Sequence, residues 1–589
     1  MSSSSPEFEG LVGRLRRHAS ENPDRVAALF MRGESQEPTP VQLNYAELDR
    51  TARSTAAWLQ RRTSPGDRVL LLHPQGLDLV TSFAACLYAG VAPVVVPVPG
   101  GHAHQAARTA GIAADCGAAV ALTDSGTYLE VAAWLELPGT PPLECAVTDI
   151  DELAPPEEWT DPGIGPEQLA FLQYTSGSTS DPRGVVVTHA NLEHNITLLC
   201  EIFGWTPEMR FCGWVPMFHD MGLIITVLVP LYLGTTTVLM TATSFLKRPY
   251  LWLELIDRYD VQVSCAPNFA YDLCVRRLTD EQVDSLDLSR WVCAVNGAEP
   301  IDAATLDRFT KRFAPSGFRN ETFAPAYGMA ETTLGVSGTA VGVAPVLRRV
   351  DSAALERNVL VPAAADGESV TLVGCGRVGS LDVRIVAPDT GVELPEGRIG
   401  EIWVRGDSVT GGYWQRPELT ETLFRADITD GDRGFLRTGD LGALFDGELH
   451  ITGRIKEMLI IRGRNLYPHD IEREARALDP RFEGRLTSVF AVPGQDDEIV
   501  VVQEVRGTAL DEEELSGLAQ LVRDELGRSL GVRVSNVVLV RPGQVRRTTS
   551  GKLQRSLMRE LFMKDELTPL HEELGADVRR RYRTLAGVR

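Results

Sequence analysis

The residues best suited to chemistry stand in LQYTSGSTSDPRGVVVTH, Leu172 to His189, where an apolar run breaks into Thr175, Ser176, Gly177, Ser178 and Thr179 and resumes as valines. The pattern predicts strand, loop, strand. Hydroxyls and backbone N–H groups in such a loop can converge on a phosphate, because glycine permits close approach and unusual backbone angles. The spacing differs from the P-loop, which needs a glycine, four residues, then Gly-Lys-Ser/Thr opening a helix. In isolation the stretch suits a solvated turn equally well, so its meaning depends on what else in the chain handles phosphate.

The elements around it must hold it still. From Asp67 to Val98 a strand pattern (Val69 to Leu72), a helix pattern (Leu79 to Ala89) and a second apolar run (Val94 to Val98) follow one another, the order of a parallel α/β layer. Similar alternation recurs at Ala107 to Thr123 and from Val185 through a helix at Asn191 to Phe203. After Gly374 short β-type segments take over, among them Asp382 to Val386 and Gly400 to Arg405. The charged turn Arg454-Ile455-Lys456-Glu457 then precedes a smaller unit with strands at Met458 to Ile461, Thr487 to Val492, Ile499 to Val505 and Val534 to Val540 and helices near Pro468 to Leu478 and Leu510 to Leu526. The expected fold is α/β: a large N-terminal domain of α/β layers plus a β-rich subdomain, residues 1–454, and a small α+β C-terminal domain, residues 455–589.

At 589 residues the chain exceeds a single core. Its formal charge of −22 argues against nucleic acid or an anionic membrane as a general partner. The nine cysteines are scattered without a C-x-x-C pair, which points to reduced thiols and no zinc site. The N-terminus lacks the pattern of a signal peptide, and the longest apolar run, near Leu223 to Leu233, contains Pro230 and is too short to span a bilayer. A cytoplasmic protein with no integral membrane association is expected.

Five further stretches decide the reading: WVPMFHDMGL (214–223), VNGAEPI (295–301), YGMAETT (327–333), FLRTGDLG with ITGRIKEMLIIRGRNLYPHDIE (435–442 and 451–472), and RRTTSGKLQR (546–555). In this order, with the hydroxyl-rich loop, they resemble the adenylate-forming enzymes: acyl-CoA synthetases, peptide-synthetase adenylation domains and luciferases. APNFAYDLC (266–274), PMFHDMGL, VNGAEPI and IIRGRNLYPHDIE narrow the resemblance to the fatty acyl-AMP ligases, closest to those that load lipopeptide or polyketide assembly lines. An additional segment at 346–371 looks like the insertion which, in those ligases, packs near the domain junction and accompanies poor use of coenzyme A.

The resemblance implies ATP and Mg²⁺ as cofactors, with a fatty acid and a separate holo acyl carrier protein as partners. It implies that Thr175 to Thr179 embrace the β- and γ-phosphates and that Glu331 ligates Mg²⁺, whose preference for carboxylate and phosphate oxygens fits the task. Tyr327, Gly328 and Met329, with Gly297, Ala298 and Glu299, would form the base pocket, and Thr332 would reach the α-phosphate. Asp440 would take the ribose hydroxyls, since a carboxylate accepts from both at once, and Arg454 the ribose or phosphate. Lys552 would cross from the mobile C-terminal domain to the carboxylate and α-phosphate, with Lys456 as the hinge. His219 would gate the carboxylate or be a buried structural histidine. Arg462, Arg464, Arg546, Arg547, Arg555 and Arg579 to Arg581 are candidate docking residues for an acidic carrier.

One departure stands out. Where the superfamily's loop commonly ends Gly-x-Pro-Lys-Gly, this chain reads Ser180-Asp181-Pro182-Arg183-Gly184, which keeps the charge but not the lysine geometry. The competing expectation is an acyl-CoA synthetase. An amino-acid adenylation domain fits less well, because FHD stands where an aspartate-bearing FD-x-S stretch would bind the α-amine.

Overall fold

The computed structural model describes residues 8–33, 38–100, 103–150, 152–175, 182–429, 431–461, 464–493, 497–507, 510–548 and 552–583. Its largest sheet has nine strands, ordered Arg377–Val378, Gly335–Gly338, Phe323–Gly328, Cys293–Asn296, Val263–Ala266, Phe211–Gly213, Thr237–Leu239, Val26–Arg32 and Thr39–Asn44. From Phe323–Gly328 through Val26–Arg32 neighbouring strands run parallel. Val263–Ala266 and Cys293–Asn296 are buried at every position, as befits parallel strands covered by helices on both faces. Beneath them Tyr271 meets Trp252, Phe309 and Phe323 edge-on at centroid distances of 5.6, 5.3 and 5.1 Å, a geometry that adds to the burial of each ring.

The strand order reverses at Phe211–Gly213. The next strand in the chain, Thr237–Leu239, lies on one side of it and the following one, Val263–Ala266, on the other. Ligands of open α/β sheets bind beyond the carboxyl end of the strands at such a point. The segment that leaves this end is Trp214 to Asp220. It enters a short helix, Asp220–Leu223, which widens into a π-turn at Ile224–Leu228, where the Thr226 hydroxyl donates to the Gly222 carbonyl. Only glycine fits at 222, because a Cβ there would lie 2.3 Å from the Pro216 carbonyl oxygen.

A second, four-stranded parallel sheet runs Ala92–Val95, Arg68–Leu71, Ala118–Thr123, Glu144–Val147. Leu169–Tyr174 pairs antiparallel with Gly184–Thr188, the strands flanking the hydroxyl-rich loop. The helix expected from Asn191 begins instead at His189, because Thr188 caps it: its side chain accepts from the Asn191 N–H and Asn191 reciprocates.

The β-type segments form one antiparallel sheet, Asp382–Val386, Gly400–Arg405, Leu436–Phe445, Glu448–Arg454. Beyond it a sheet of Thr487–Val492, Glu498–Glu504, Asn536–Val540 and Pro569–Glu573 has an apolar layer on each face, with Ile471, Val501 and Val522 in one and Val502, Met558 and Phe562 in the other. The additional segment is a hairpin of Leu347–Asp351 and Ser369–Val373 joined through the short helix Ser352–Leu355. Its Val350, Leu355 and Leu360 share a core with Leu441, Ala443 and Tyr467.

Among the described residues no helix is long and apolar enough to cross a membrane. All nine cysteines are free thiols.

Candidate active site

Beyond the carboxyl ends of the strands lies a cleft of about 1910 Å³ that reaches the smaller C-terminal unit. Thr175 and Arg183, the described ends of the hydroxyl-rich loop, line it, and the Thr175 N–H donates to the Arg183 carbonyl at 3.3 Å. Ser176, Gly177, Ser178 and Thr179 lie outside the described residues.

The strand Cys293–Asn296 delivers Gly297, Ala298 and Glu299 to the cleft. Ala298 takes φ 67°, a left-handed conformation rare outside glycine. Glu299 is fixed by the Phe269 N–H, which donates to its Oε1 at 2.6 Å. Burial pushes the Glu299 carboxyl up, opposed by Arg547 and Lys552.

The next strand, Phe323–Gly328, delivers Tyr327, Gly328, Met329 and Glu331. A Cβ at Gly328 would sit 1.8 Å from the Leu334 carbonyl oxygen, so the chain can double back here only with glycine. The return is a γ-turn centred on Thr333, φ 65°, ψ −57°, closed by the Leu334 N–H donating to the Thr332 carbonyl at 2.8 Å. A β-branched residue in this region is strained. Thr333 is held there by its hydroxyl, which donates to the Ser408 carbonyl at 2.8 Å.

Thr332 is fully buried, does not line the cleft, and its hydroxyl is directed to the carbonyls of Met329 and Leu334, at 2.9 and 3.2 Å. Glu331, one residue earlier, does line the cleft. The Tyr413 hydroxyl donates to its Oε1 at 2.6 Å, and burial raises its pKa.

Asp440 and Arg454 face each other on adjacent strands. The Tyr327 hydroxyl donates to Asp440 Oδ2 and Arg454 Nε to Oδ1, each at 2.9 Å, and Asp440 holds the Arg454 pKa above its usual value. The RTGD turn is set by Glu401, which is 2 % exposed and takes hydrogen bonds from Arg437 Nε and the Gly439 N–H at 3.0 and 3.1 Å. Lys456 follows, exposed at the edge of the cleft.

Lys552 enters from the C-terminal unit on a bridge in which the Thr548 N–H donates to its carbonyl at 2.8 Å and its own N–H donates to the Thr548 hydroxyl at 3.1 Å. Burial, then the Arg454 charge, hold its pKa below the usual lysine value, opposed by Asp220, Asp440 and Glu299. His219 lines the same space. Burial, with Lys552 and Arg108 nearby, brings its pKa to about 3, so the ring is neutral at neutral pH. A neutral imidazole does not supply positive charge to a carboxylate.

Asp220 and Tyr413 were not singled out as site residues from the sequence. Asp220 lines the cleft, where burial raises its pKa and Lys552 opposes the rise. FHD and GGYW carried the available signal, a carboxylate beside a histidine and a hydroxyl after two glycines.

Three of the candidate docking arginines are engaged within the chain: Arg464 is paired with Glu356 at 2.5 Å, Arg555 is half-buried against Glu472 and Glu457, and Arg547 lies in the cleft, its guanidinium 5.7 Å from the centre of the Phe269 ring. Arg546 and Arg579 to Arg581 are exposed. Arg462 lies outside the described residues.

A cleft at the switch point of a parallel sheet, bordered by a carboxylate–arginine pair and entered by a lysine from a second unit, defines a nucleotide-binding enzyme of the adenylate-forming fold. Comparison with known proteins agrees. The pattern of the AMP-binding enzyme family matches residues 15–414. The medium-chain-fatty-acid–[acyl-carrier-protein] ligase JamA of Moorena producens is 39 % identical over 576 residues, covering 96 % of this chain and 97 % of that protein. A solved structure from work on fatty acyl-adenylate ligases of E. coli and L. pneumophila has 31 % identity and a TM-score of 0.86, covering 95 % of this chain and 98 % of that one. The L. pneumophila fatty acyl-adenylate ligase in complex with acyl adenylate and pyrophosphate has 33 % identity and a TM-score of 0.74, covering 96 % and 98 %. The chain belongs to the AMP-binding enzyme family, among its fatty acyl-AMP ligases.

Proposed function

We propose that this enzyme activates a fatty acid with ATP and passes the acyl group to the phosphopantetheine thiol of a separate carrier protein. A carboxylate oxygen attacks the α-phosphorus and pyrophosphate leaves, giving acyl-AMP. The thiolate sulfur then attacks the acyl carbon and AMP leaves, the thiol proton passing to solvent. The observation that carries the reading is Lys552 standing with Asp220, Asp440 and Arg454 in a cleft whose lining also includes the apolar Met221, Ile225, Leu199 and Phe203.

The first step brings two anions together, so positioning and charge neutralisation matter more than proton transfer. Lys552 meets the carboxylate and α-phosphate. Asp440 has lone pairs beyond those used by Tyr327 and Arg454 and takes the ribose hydroxyls. Gly297, Ala298, Glu299, Gly328 and Met329 flank the base with Tyr327. Thr175 and Arg183 border the leaving phosphates, and Thr332 acts through the turn it anchors. His219, neutral, packs beside the reacting carboxylate.

Among the described residues no three His, Cys, Asp or Glu side chains group as a metal cage. Mg²⁺ is ordinarily held by one or two carboxylates plus substrate phosphates, and Glu331, a buried carboxyl in the cleft with one oxygen already hydrogen-bonded, suits that mode. When bound, Mg²⁺ supplies charge neutralisation to the phosphates.

Residues 1–454 form the adenylating domain and 455–589 the domain that rotates about Lys456 to admit the thiol. The test is incubation with ATP, a fatty acid and either coenzyme A or a holo carrier protein, with acyl-AMP and thioester read by mass spectrometry. Acyl-AMP followed by acyl-carrier is expected; rapid, saturable acyl-CoA formation would replace the acceptor assignment.

A further inference from the structure

Part of the cleft's lining is apolar: Met221 and Ile225, Leu199 and Phe203 of the His189–Phe203 helix, and Leu334 and Gly335. The helix gives this part of the lining a direction. Buried Asn195 donates to the carbonyls of Thr332 and Gly335, at 3.3 and 3.0 Å, which fixes that level of the helix beside the turn carrying Glu331. Leu199 is one turn further on and Phe203 two, so about 12 Å of helix separates Asn195 from Phe203. Gly204, at φ 65°, ends the helix directly after.

Behind Phe203 the lining does not continue. The Phe203 ring is 1 % exposed and stacks on Trp205, with centroids 4.8 Å apart and planes 21° apart. Trp205 in turn meets Phe211 edge-on at 5.4 Å, and neither Trp205 nor Phe211 lines the cleft. The tip of the Phe203 ring packs against Gly338, where a Cβ would lie 2.4 Å from its Cζ. A ring stacked behind and packed beside cannot swing away without disturbing both neighbours. Nearer the nucleotide, a Cβ at Gly335 would lie 2.5 Å from Leu199 Cδ2, so a glycine there keeps Leu199 from being pushed into the cleft.

We propose that Phe203 is the floor of the acyl-binding part of the cleft and sets the longest chain the enzyme adenylates, with Leu199 against Gly335 as the neck above it. This rests on the reading that the substrate is a fatty acid. An acid longer than the floor allows must either displace the stacked ring or fail to seat its carboxylate beside Lys552. Hydrophobic sites discriminate by about tenfold or more for a methylene that does not fit.

The test uses the full-length enzyme, ATP–pyrophosphate exchange and a series of straight saturated acids of increasing length, with kcat/KM measured for wild type, Phe203→Ala, Phe203→Leu and Gly335→Ala. Phe203→Ala is expected to move the optimum to longer acids and to raise kcat/KM for those just past the wild-type limit by about tenfold, with KM for ATP changed by less than about twofold. Gly335→Ala, which drives Leu199 inward, is expected to move the optimum to shorter acids. An unmoved length profile in a Phe203→Ala protein that melts cooperatively overturns the proposal. If that variant does not fold, unmoved profiles in both Phe203→Leu and Gly335→Ala overturn it. A wild-type enzyme that adenylates no fatty acid overturns the functional reading along with it, and is distinguished by requiring no variant.

Discussion

Glu356 of the additional hairpin grips Arg464 with both carboxylate oxygens, at 2.7 Å from Nε and 2.5 Å from Nη2. Its carbonyl takes the Asn465 side-chain amide at 3.2 Å, and Asn358 takes the same amide at 3.1 Å. The hairpin thereby fastens Arg464 and Asn465, which would have to move in the proposed rotation about Lys456. Glu356→Ala is expected to raise thioester formation with coenzyme A by about two- to fivefold, the scale of a partly exposed ion pair. Acyl-AMP formation should change by less than about twofold, because no adenylating group is touched. Parallel mass-spectrometric assays of acyl-AMP and acyl-CoA measure both, and an unchanged coenzyme A rate would show that the fastening does not limit acceptor choice.

Lys552→Ala should lower adenylate formation by roughly 10²–10³, the loss typical of a group aimed at developing charge, while ATP binding measured by calorimetry is retained. The wild-type enzyme adds a pH signature. Its lysine pKa lies below 10.5, so kcat/KM for the free enzyme should begin to fall at lower pH than an ordinary lysine would give. Stability moves the other way. The unfolded chain holds this proton more tightly, so as pH rises from the lowered value to 10.5 the fold gains stability while activity drops.

That Glu331, Asp440 and Lys552 share a site was legible because each stands in a short, local stretch that carries the family resemblance, and all three line the cleft. What was not legible depends on contacts across the chain. Tyr413 meets Glu331 over 82 residues of sequence and Arg555 meets Glu457 over 98, which periodicity does not encode. Arg464 and Arg555 read as free surface cations and are ion-paired instead. The direction of the Thr332 hydroxyl follows from the left-handed backbone at Thr333, which no propensity assigns to a threonine. Helix starts differed by a residue or two where a side-chain cap decides, as Thr188 does for His189–Phe203.

Acid should destabilise the fold through buried neutral histidines. His450 is fully buried, neither ring nitrogen has a hydrogen-bond partner, and burial with Arg348 nearby brings its pKa to about 4. His189 lies at about 4 and His73 at about 3, both from burial. Below 6.5 the unfolded chain binds these protons and the folded one does not, so stability falls with pH until the folded values are reached. His450→Leu should remove one such proton. In urea unfolding at a series of pH values, the variant should gain on wild type by about 1.4 kcal/mol per pH unit between 6.5 and about 4. Parallel curves across that window would mean His450 is already protonated in the fold.

Arg555 follows Lys552 by three residues and is held by two carboxylates. Its Nε and Nη2 donate to the two oxygens of Glu472, at 2.8 and 2.7 Å, and Nη1 donates to Glu457. Glu472 is 2 % exposed and also accepts from the Val489 N–H at 3.1 Å. The arginine thus joins the lysine-bearing bridge to the helix Pro468–Ala477 and to the turn after Arg454. Arg555→Met leaves Glu472 buried and unpaired and should cost about 3–5 kcal/mol of stability. Adding Glu472→Met replaces the pair with apolar side chains and should restore most of that loss, as such exchanges often do. The adenylation rate separates positioning from structure. If the ion pairs aim Lys552, the stable double variant should still adenylate about 10- to 100-fold more slowly than wild type, since a misplacement of about 1 Å costs on that order. ATP–pyrophosphate exchange beside urea unfolding, run as a double-mutant cycle, measures both. A double variant that recovers rate together with stability would leave Arg555 a structural residue only.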